Sequence, residues 1–224
     1  MIMPIFTTNL VLFPRQSLTV SINNLHDKQM IYDCMLDQKQ FGICLLDNNK
    51  TIFGLAKPKM IGTIAKIQNC TDIDRLGMQL QVDLIGRRKF KIISLIRPDI
   101  ELNGIQYDKT LNLDQNTYNK KLYLTAHVQT FNDIEDKISL NIWENLVLLW
   151  KNKILSSNNH VNDTYLDRIL KNYDLFTDTP TIDYIYSLSA LGSSSPNDLQ
   201  MILESLTMDE LLSNVTKLFK SKFN

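Results

Sequence analysis

The chain has 224 residues, and its 24 lysines and arginines balance 24 aspartates and glutamates, so the formal net charge is zero. Nucleic-acid binders usually carry a basic excess, and no apolar run approaches the roughly 20 residues that span a membrane, so both classes are disfavoured. Residues 1–22 lack the basic start of a signal peptide. Cys34, Cys44 and Cys70 form no C-x-x-C pair. This pattern indicates free thiols in a reducing cytoplasm rather than disulfides or zinc.

The first half of the chain begins with the patterns of short strands and one helix. Ser17 to Ile22 alternates polar and apolar residues after a break at Pro14, which predicts a half-buried strand. Asn24 is a candidate N-cap for a helix from about Leu25 to Leu36. The apolar face of that helix is expected to carry Leu25, Met30, Ile31 and Cys34.

Further strands are expected in the remainder of this half. Met78 to Leu84 places four apolar side chains on one face and polar ones on the other. Gly86 follows and indicates a bulge or a tight bend. The segments with strand patterns are 41–46, 61–67, 78–84, 90–93 and 105–113. Many short strands punctuated by glycine predict a small closed or nearly closed barrel.

The second half has the longer periodicity of helices. Helices are predicted at about 117–132, 136–154, 164–173, 180–191, 196–206 and 208–221. Thr179 and Ser195 each precede a proline and are candidate N-caps. Thr207 and Glu210 have the spacing of a capping box. The change of pattern predicts two domains, residues 1–114 and residues 115–224.

Four segments of the first half resemble, in order and spacing, motifs of the substrate-binding N-terminal domain of Lon proteases. They are Asn9 to Pro14, Phe41 to Ile43, Gly62 to Ala65 and Gly86 to Ile92. The resemblance implies an α+β fold, in which a PUA-like β pseudo-barrel with one helix precedes a C-terminal helical bundle. The family-motif residues, to which we assign a structural role, are Asn9, Phe13, Pro14, Phe41, Gly42, Gly62, Thr63, Gly86, Arg88 and Phe90.

The chain departs from the family pattern at two places. Arg15 stands where the family usually has glycine, and Asn23 to Asp27 replaces a segment of the type F-E-P-R-Y. Contacts that the family makes through that aromatic and acidic segment are therefore not carried over. Leu18, Val20 and Ile22 keep the inward pattern of the strand, so the barrel is still expected.

The motifs of the Lon enzyme itself are absent from the sequence. Full Lon proteases pair this domain with an ATPase and a Ser-Lys peptidase, but the chain has no G-x-x-x-x-G-K-[ST] and no G-x-S-x-G. His26, His127 and His160 lie in separate segments without metal-binding spacing. We therefore expect a standalone form that is not an enzyme, without catalytic residues, cofactor or metal.

Two further clusters admit two interpretations each. The basic residues Arg87, Arg88, Lys89 and Lys91 are interpreted as a solvated strand edge rather than an RNA site, since Phe90 is the one aromatic among them and is expected to point inward. Trp143, Leu146, Val147 and Trp150 have helical spacing. This stripe favours a bundle core over a binding groove.

The resemblance and the missing motifs together predict a protein-recognition module. Its expected ligand is an exposed apolar segment of another protein, an unfolded polypeptide, or a partner protease or chaperone. Binding is expected between barrel and bundle or by strand addition to a barrel edge. The alternatives are an RNA-binding PUA-like protein and, third, a hydrolase with an unrecognised site. Nucleic-acid and membrane partners are disfavoured, and the sequence identifies neither ligand-binding residues nor an oligomeric state.

Overall fold

The computed structural model describes residues 1–73, 79–99, 120–134, 137–157, 160–193 and 195–221. The chain divides into two compact units, Met1–Phe131 and Asn132–Asn224. The first unit is rich in strands and the second is helical, which confirms the predicted α+β class. The predicted boundary between residues 114 and 115 lies outside the described residues and stays a prediction.

The described part of the first unit contains a sheet of seven strands and one helix. Their bounds are β1 Ile2–Thr8, β2 Ser17–Ile22, α1 Leu25–Leu36, β3 Phe41–Ile52, β4 Leu55–Pro58, β5 Ile61–Asp72, β6 Leu80–Ile96 and β7 Thr125–Thr130. The strand order is β1-β7-β6-β5-β3-β4, and a parallel pairing of β1 with β3 closes a circuit of five strands. Because β2 and β4 lie off this circuit, the sheet is a pseudo-barrel rather than a clean barrel.

The helix predicted at 117–132 is wrong over the part that the structure describes. Residues Thr125–Thr130 form strand β7, which pairs with β1 and β6. Ala126 and Val128 are buried while His127 and Gln129 are exposed, so the segment has the period of two that a half-buried strand requires. The predicted strand at 105–113 lies outside the described residues, as does Met78.

Strand β6 joins two predicted strands into one and contains the expected irregularity. In its pairing with β5, Ala65 faces Gly86 and Thr63 faces Lys89, so three steps along β6 oppose two along β5. This extra residue is the bulge predicted at Gly86. Lys89 and Phe90, which follow it, are both buried.

The segment before β7 is hydrogen-bonded to α1 and to a residue that follows β6. The Gln29 side chain donates to the Lys120 carbonyl (2.7 Å) and accepts from the Leu122 N–H (3.0 Å). The backbone N–H of Asp99 donates to the Lys121 carbonyl (2.8 Å), and the Lys121 N–H donates to Asp99 Oδ2 (3.0 Å). These bonds fix where the chain enters β7.

The core of the first unit consists of two clusters of buried apolar side chains. One packs Met30, Ile31 and Cys34 of α1 against the sheet, as the helical stripe predicts, although Leu25 is partly exposed. The other cluster contains Met3, Ile5, Cys44, Ile64, Phe90, Ile92, Leu124, Ala126 and Val128.

The described part of the second unit contains five helices. They are α2 Leu140–Ser157, α3 Asp163–Asn172, α4 Ile182–Gly192, α5 Pro196–Leu203 and α6 Met208–Lys220. Helix α2 packs on α3, α4 and α6. Within the described residues, no helix combines the length and the apolar character that membrane crossing requires.

The predicted caps of these helices have different outcomes. Thr207 accepts a hydrogen bond from the Glu210 N–H (3.2 Å), but the Glu210 carboxylate reaches the N–H of Leu206 (2.8 Å) rather than that of Thr207. Ser195 and Pro196 stand at the N-cap and the first turn of α5 as predicted, but the Ser195 side chain makes no capping hydrogen bond. Thr179 as an N-cap is wrong, because α4 begins after Thr181, which forms a β-bridge with Lys137.

Candidate functional site

The family-motif residues of the first unit hold the segment between β1 and β2 against the sheet. The Thr63 hydroxyl donates to the carbonyl of Leu12 (2.5 Å) in a buried position. The Arg15 N–H donates to the Gly86 carbonyl (2.9 Å), and the Gly86 N–H donates to the Gln16 carbonyl (2.9 Å). A Cβ on Gly86 would meet the carbonyl oxygen of Phe13, so glycine is what permits this approach.

Three other motif residues form a tight contact inside the sheet. A Cβ on Gly42 would meet the ring of Phe90 and lie 2.9 Å from Ile5 Cδ1. A Cβ on Gly62 would meet the carbonyl of Ile43 and lie 2.6 Å from Cys44 Sγ. Phe13, Phe41 and Phe90 are buried, whereas Asn9 and Arg88 are exposed. The geometry of the buried motif residues is that of packing.

Arg15 adopts a backbone conformation that favours glycine. Its φ is 62°, in the left-handed region, where a Cβ is disfavoured. Glycine, which the Lon pattern usually has at this position, adopts this conformation without that strain.

The basic cluster is less continuous than its sequence indicates. Arg87, Arg88 and Lys91 are exposed as expected, but Lys89 is only 5% exposed, so its assignment to the solvated edge is wrong. The bulge after Gly86 explains the difference, since it breaks the simple alternation on which that assignment depended. Phe90 points inward as predicted and offers no exposed ring for base stacking.

The titratable groups of the first unit have environments that suit packing rather than catalysis. Burial raises the pKa of the Cys44 thiol, and it raises the pKa of Cys34 to about 12. Both thiols therefore stay protonated, as expected for core residues. His26 and Asp27 border a small cavity of 130 Å³, where burial lowers the pKa of the imidazole and raises that of the carboxyl. Among the described residues, no three histidine, cysteine or acidic side chains are grouped to hold a metal ion.

The second unit contains an open groove of 620 Å³ between α2 and α3, which we call the α2–α3 groove. One wall is a single face of α2, because its residues recur every three or four positions. The other wall is the end of α3 and the loop that follows it. The lining residues are Leu140, Trp143, Glu144, Val147, Leu148, Lys151, Leu170, Leu175, Phe176, Thr177 and Asp178.

A Schellman motif at the end of α3 shapes the second wall. The N–H of Leu175 donates to the Leu170 carbonyl (2.8 Å), and the N–H of Asp174 donates to the Lys171 carbonyl (3.1 Å). Asp174 has a φ of 52° in the position where glycine is usual. Leu170 and Leu175 are buried beside each other at the groove, which is the apolar contact typical of this motif. The turn directs Phe176 to Asp178 along the groove.

The inner and outer parts of the groove differ in exposure. Trp143 is buried and packs edge-to-face on Tyr184, with ring centroids 5.8 Å apart. Leu148 and Phe176 are 55% and 61% exposed, so the rim presents large apolar side chains to solvent. Lys151 Nζ lies 2.6 Å from Asp167 Oδ1 and joins α2 to α3.

The stripe predicted from sequence contributes both to the core and to this groove. Trp143, Leu146 and Trp150 are buried, which confirms the interpretation as core. Trp143 and Val147 also line the α2–α3 groove, so the alternative interpretation applies to part of the same helix face. The sequence analysis did not identify Leu148 and Phe176. The helical period alone could have placed Leu148 on the same face of α2 as Glu144, one turn later.

Comparisons with known proteins place these features in a family. A family model described as the ATP-dependent protease La (LON) substrate-binding domain matches residues 2–221. No curated protein sequence matches the chain.

Two solved structures share the fold over nearly the whole chain. The Lon N-terminal domain protein from Xanthomonas campestris has 16% identity and a TM-score of 0.59, covering 95% of this chain and 98% of its own. The N-terminal domain of Mycobacterium avium complex Lon protease has 14% identity and a TM-score of 0.62, with both chains covered completely. With the family model matched from residue 2 to residue 221, the chain belongs to the Lon substrate-binding domain family.

Proposed function

We propose that the chain recognises other proteins by holding exposed apolar side chains of a polypeptide segment in the α2–α3 groove. Membership of the Lon substrate-binding domain family supports a protein-substrate recognition module. The observation that carries the proposal is the groove itself, in which Leu148 and Phe176 remain more than half exposed above a buried apolar floor. Contiguous exposed apolar surface of this kind is typical of protein interaction sites.

The size of the groove suits one or two large side chains. Its 620 Å³ lies within the range of about 300–1,000 Å³ that is usual for ligand sites. Full burial of a leucine or phenylalanine side chain contributes about 1.5–3 kcal/mol. Much of that gain is offset by the entropy lost on association. The groove is therefore expected to bind a single segment weakly and reversibly, as a recognition step requires.

A substrate-binding domain of this family is not itself catalytic, and the two buried thiols agree with this. Cys34 and Cys44 are buried and hold their protons, so neither is available as a nucleophile. We place the chain with a protease or chaperone partner that acts on the polypeptide it binds. RNA binding, the alternative, has less support, since Lys89 is buried and the net charge is zero.

The proposal is tested with Leu148→Ser, which removes an exposed apolar side chain of the groove. Ile142→Ser is the matched control, because Ile142 is a partly exposed residue of the same helix that does not line the groove. Affinity for a labelled peptide carrying phenylalanine and leucine is measured by fluorescence anisotropy. Loss of about 1 kcal/mol of burial should weaken binding roughly fivefold in Leu148→Ser alone.

Two results would contradict the proposal. One is equal affinity of both variants and the wild type for the peptide. The other is binding of single-stranded RNA instead of the peptide. That binding would show a log–log slope of affinity against salt of roughly −3 for four neutralised phosphates.

A further inference from the structure

We infer that the α2–α3 groove selects segments in which a large apolar side chain is flanked by lysine or arginine. This inference rests on the proposed function and adds a charge preference to it. It depends on how the charged residues are arranged around the groove.

The charges that line the groove do not cancel. Among its described lining residues, the charged ones are Glu144, Lys151 and Asp178. Lys151 Nζ is already engaged, at 2.6 Å from Asp167 Oδ1 and 3.8 Å from Asp163 Oδ1. Two carboxylates thus surround the one lining ammonium group, and Glu144 and Asp178 add two more negative charges. A ligand side chain that enters the groove therefore meets surplus negative charge.

Glu144 and Asp178 stand on opposite walls of the groove, and each lies near an exposed apolar residue. Glu144 lies one helical turn before Leu148 on α2, and Asp178 lies two residues after Phe176 in the loop. An apolar residue of a bound segment that packs between Leu148 and Phe176 has its chain neighbours within reach of either wall. A neighbouring lysine or arginine would lay its apolar stem on the rim and extend its charge to a carboxylate.

The same arrangement disfavours acidic segments. A glutamate next to the apolar residue would face Glu144 or Asp178 and would be repelled. Exposed ion pairs contribute modestly, so the expected preference for lysine over glutamate flanks is about threefold to tenfold. It should shrink as salt is raised from roughly 0.1 M to 1 M, where the Debye length falls from about 10 Å to about 3 Å.

The experiment compares four labelled peptides on the full chain by fluorescence anisotropy. Three carry the same phenylalanine and leucine, flanked by lysine, glutamine or glutamate, and the fourth keeps lysine but has serine in place of both apolar residues. The expected order of affinity is lysine, glutamine, then glutamate, with the serine peptide weakest.

A pair of double variants separates the groove charges from the charge of the whole chain. Glu144→Gln with Asp178→Asn should bring the ratio of lysine-flanked to glutamate-flanked affinity close to one. Asp72→Asn with Asp209→Asn removes two exposed carboxylates that do not line the groove and should leave the preference intact.

The outcomes distinguish the two proposals. If the apolar peptides bind and Leu148→Ser weakens them, but lysine and glutamate flanks are equivalent, the charge preference is overturned and the proposed function stands. If none of the apolar peptides binds, the proposed function fails and the charge preference fails with it. If the serine peptide binds as tightly as the lysine-flanked apolar peptide, the inference is overturned, because charge alone would then account for binding.

Discussion

Gly86→Ala is expected to destabilise the first unit strongly. In the structure a Cβ at this position would meet the carbonyl oxygen of Phe13 and lie 3.2 Å from Leu12 Cγ. A backbone carbonyl held by the surrounding sheet cannot move aside as a flexible side chain can. The segment from Leu12 to Gln16 must therefore shift away from strand β6.

The cost follows from what that segment contacts. Two backbone hydrogen bonds join it to Gly86, and each contributes about 1 kcal/mol. The Phe13 side chain is 1% exposed, and its burial contributes about 1.5–3 kcal/mol. Loss of these contacts gives about 3–5 kcal/mol, against a typical domain stability of about 5–15 kcal/mol. The unfolded population of the first unit should rise by roughly two to three and a half orders of magnitude, at about 1.4 kcal/mol for each factor of ten.

The assay uses reporters that the sequence separates between the units. All three cysteines lie in the first unit and both tryptophans lie in the second. Because Cys34 and Cys44 are buried, their rate of reaction with a thiol reagent follows the opening of the first unit. Tryptophan fluorescence during urea unfolding follows the second.

Ser94→Ala, at an exposed position of the same strand, is the control and should change stability by less than about 0.5 kcal/mol. If the buried thiols of Gly86→Ala react at the wild-type rate, the argument from the Phe13 carbonyl is refuted.

Two further substitutions test backbone strain and a buried amine. Arg15→Gly should raise the free energy of unfolding of the first unit by about 0.5–1 kcal/mol, because φ is 62° there. The measurement is the urea concentration at which half of the buried thiols become reactive. If this concentration does not rise in the variant, the prediction is contradicted. Burial lowers the pKa of Lys153, so the unfolded chain binds more protons as pH approaches about 10.4, and wild-type stability should rise with pH in that window. Lys153 Nζ donates to the Leu218 carbonyl (2.8 Å), which also accepts from the Ser221 hydroxyl (2.8 Å), so Lys153→Met leaves that carbonyl bonded. This variant should lose the rise in tryptophan-monitored urea unfolding. An identical pH dependence in both proteins would count against the assignment.

Local signals predicted the elements whose contacts are short-range. Asn24 caps α1 by accepting from the Asp27 N–H (2.9 Å), as its position before an apolar stripe indicates. Glycine at position 86 marks a bulge because a strand interior otherwise disfavours glycine. The cap depends on residues within one turn, and the bulge coincides with a residue type that strand interiors disfavour, so the sequence carries a signal for both.

Features that depend on distant pairing were missed or misassigned. The sequence predicts Thr125–Thr130 as part of a helix, since strand alternation over only six residues is a weak signal beside the helical periodicity of the second half. Its strand character depends on partners in β1 and β6 that are far away in sequence. The burial of Lys89 likewise depends on a register shift between β5 and β6.

The sequence indicates one wall of the α2–α3 groove but not the other. The stripe that contains Trp143 and Val147 indicates an apolar face of α2, but the sequence does not show which part of that face is covered. The position of Phe176 depends on a left-handed turn at Asp174, a residue type that enters this conformation less often than glycine. A turn made by an unusual residue gives no clear sequence signal.

The pair of hydrogen bonds between Asp99 and Lys121 has a consequence for engineering the chain. The two residues are 22 positions apart in sequence and are joined by backbone and carboxylate bonds. An insertion that shifts either residue would break both bonds at once, because both join the same two residues. Changes of chain length between Ile96 and Asp99, or between Lys121 and Thr125, should therefore disturb the pairing of β6 with β7, whose last paired residues are Ile96 and Thr125.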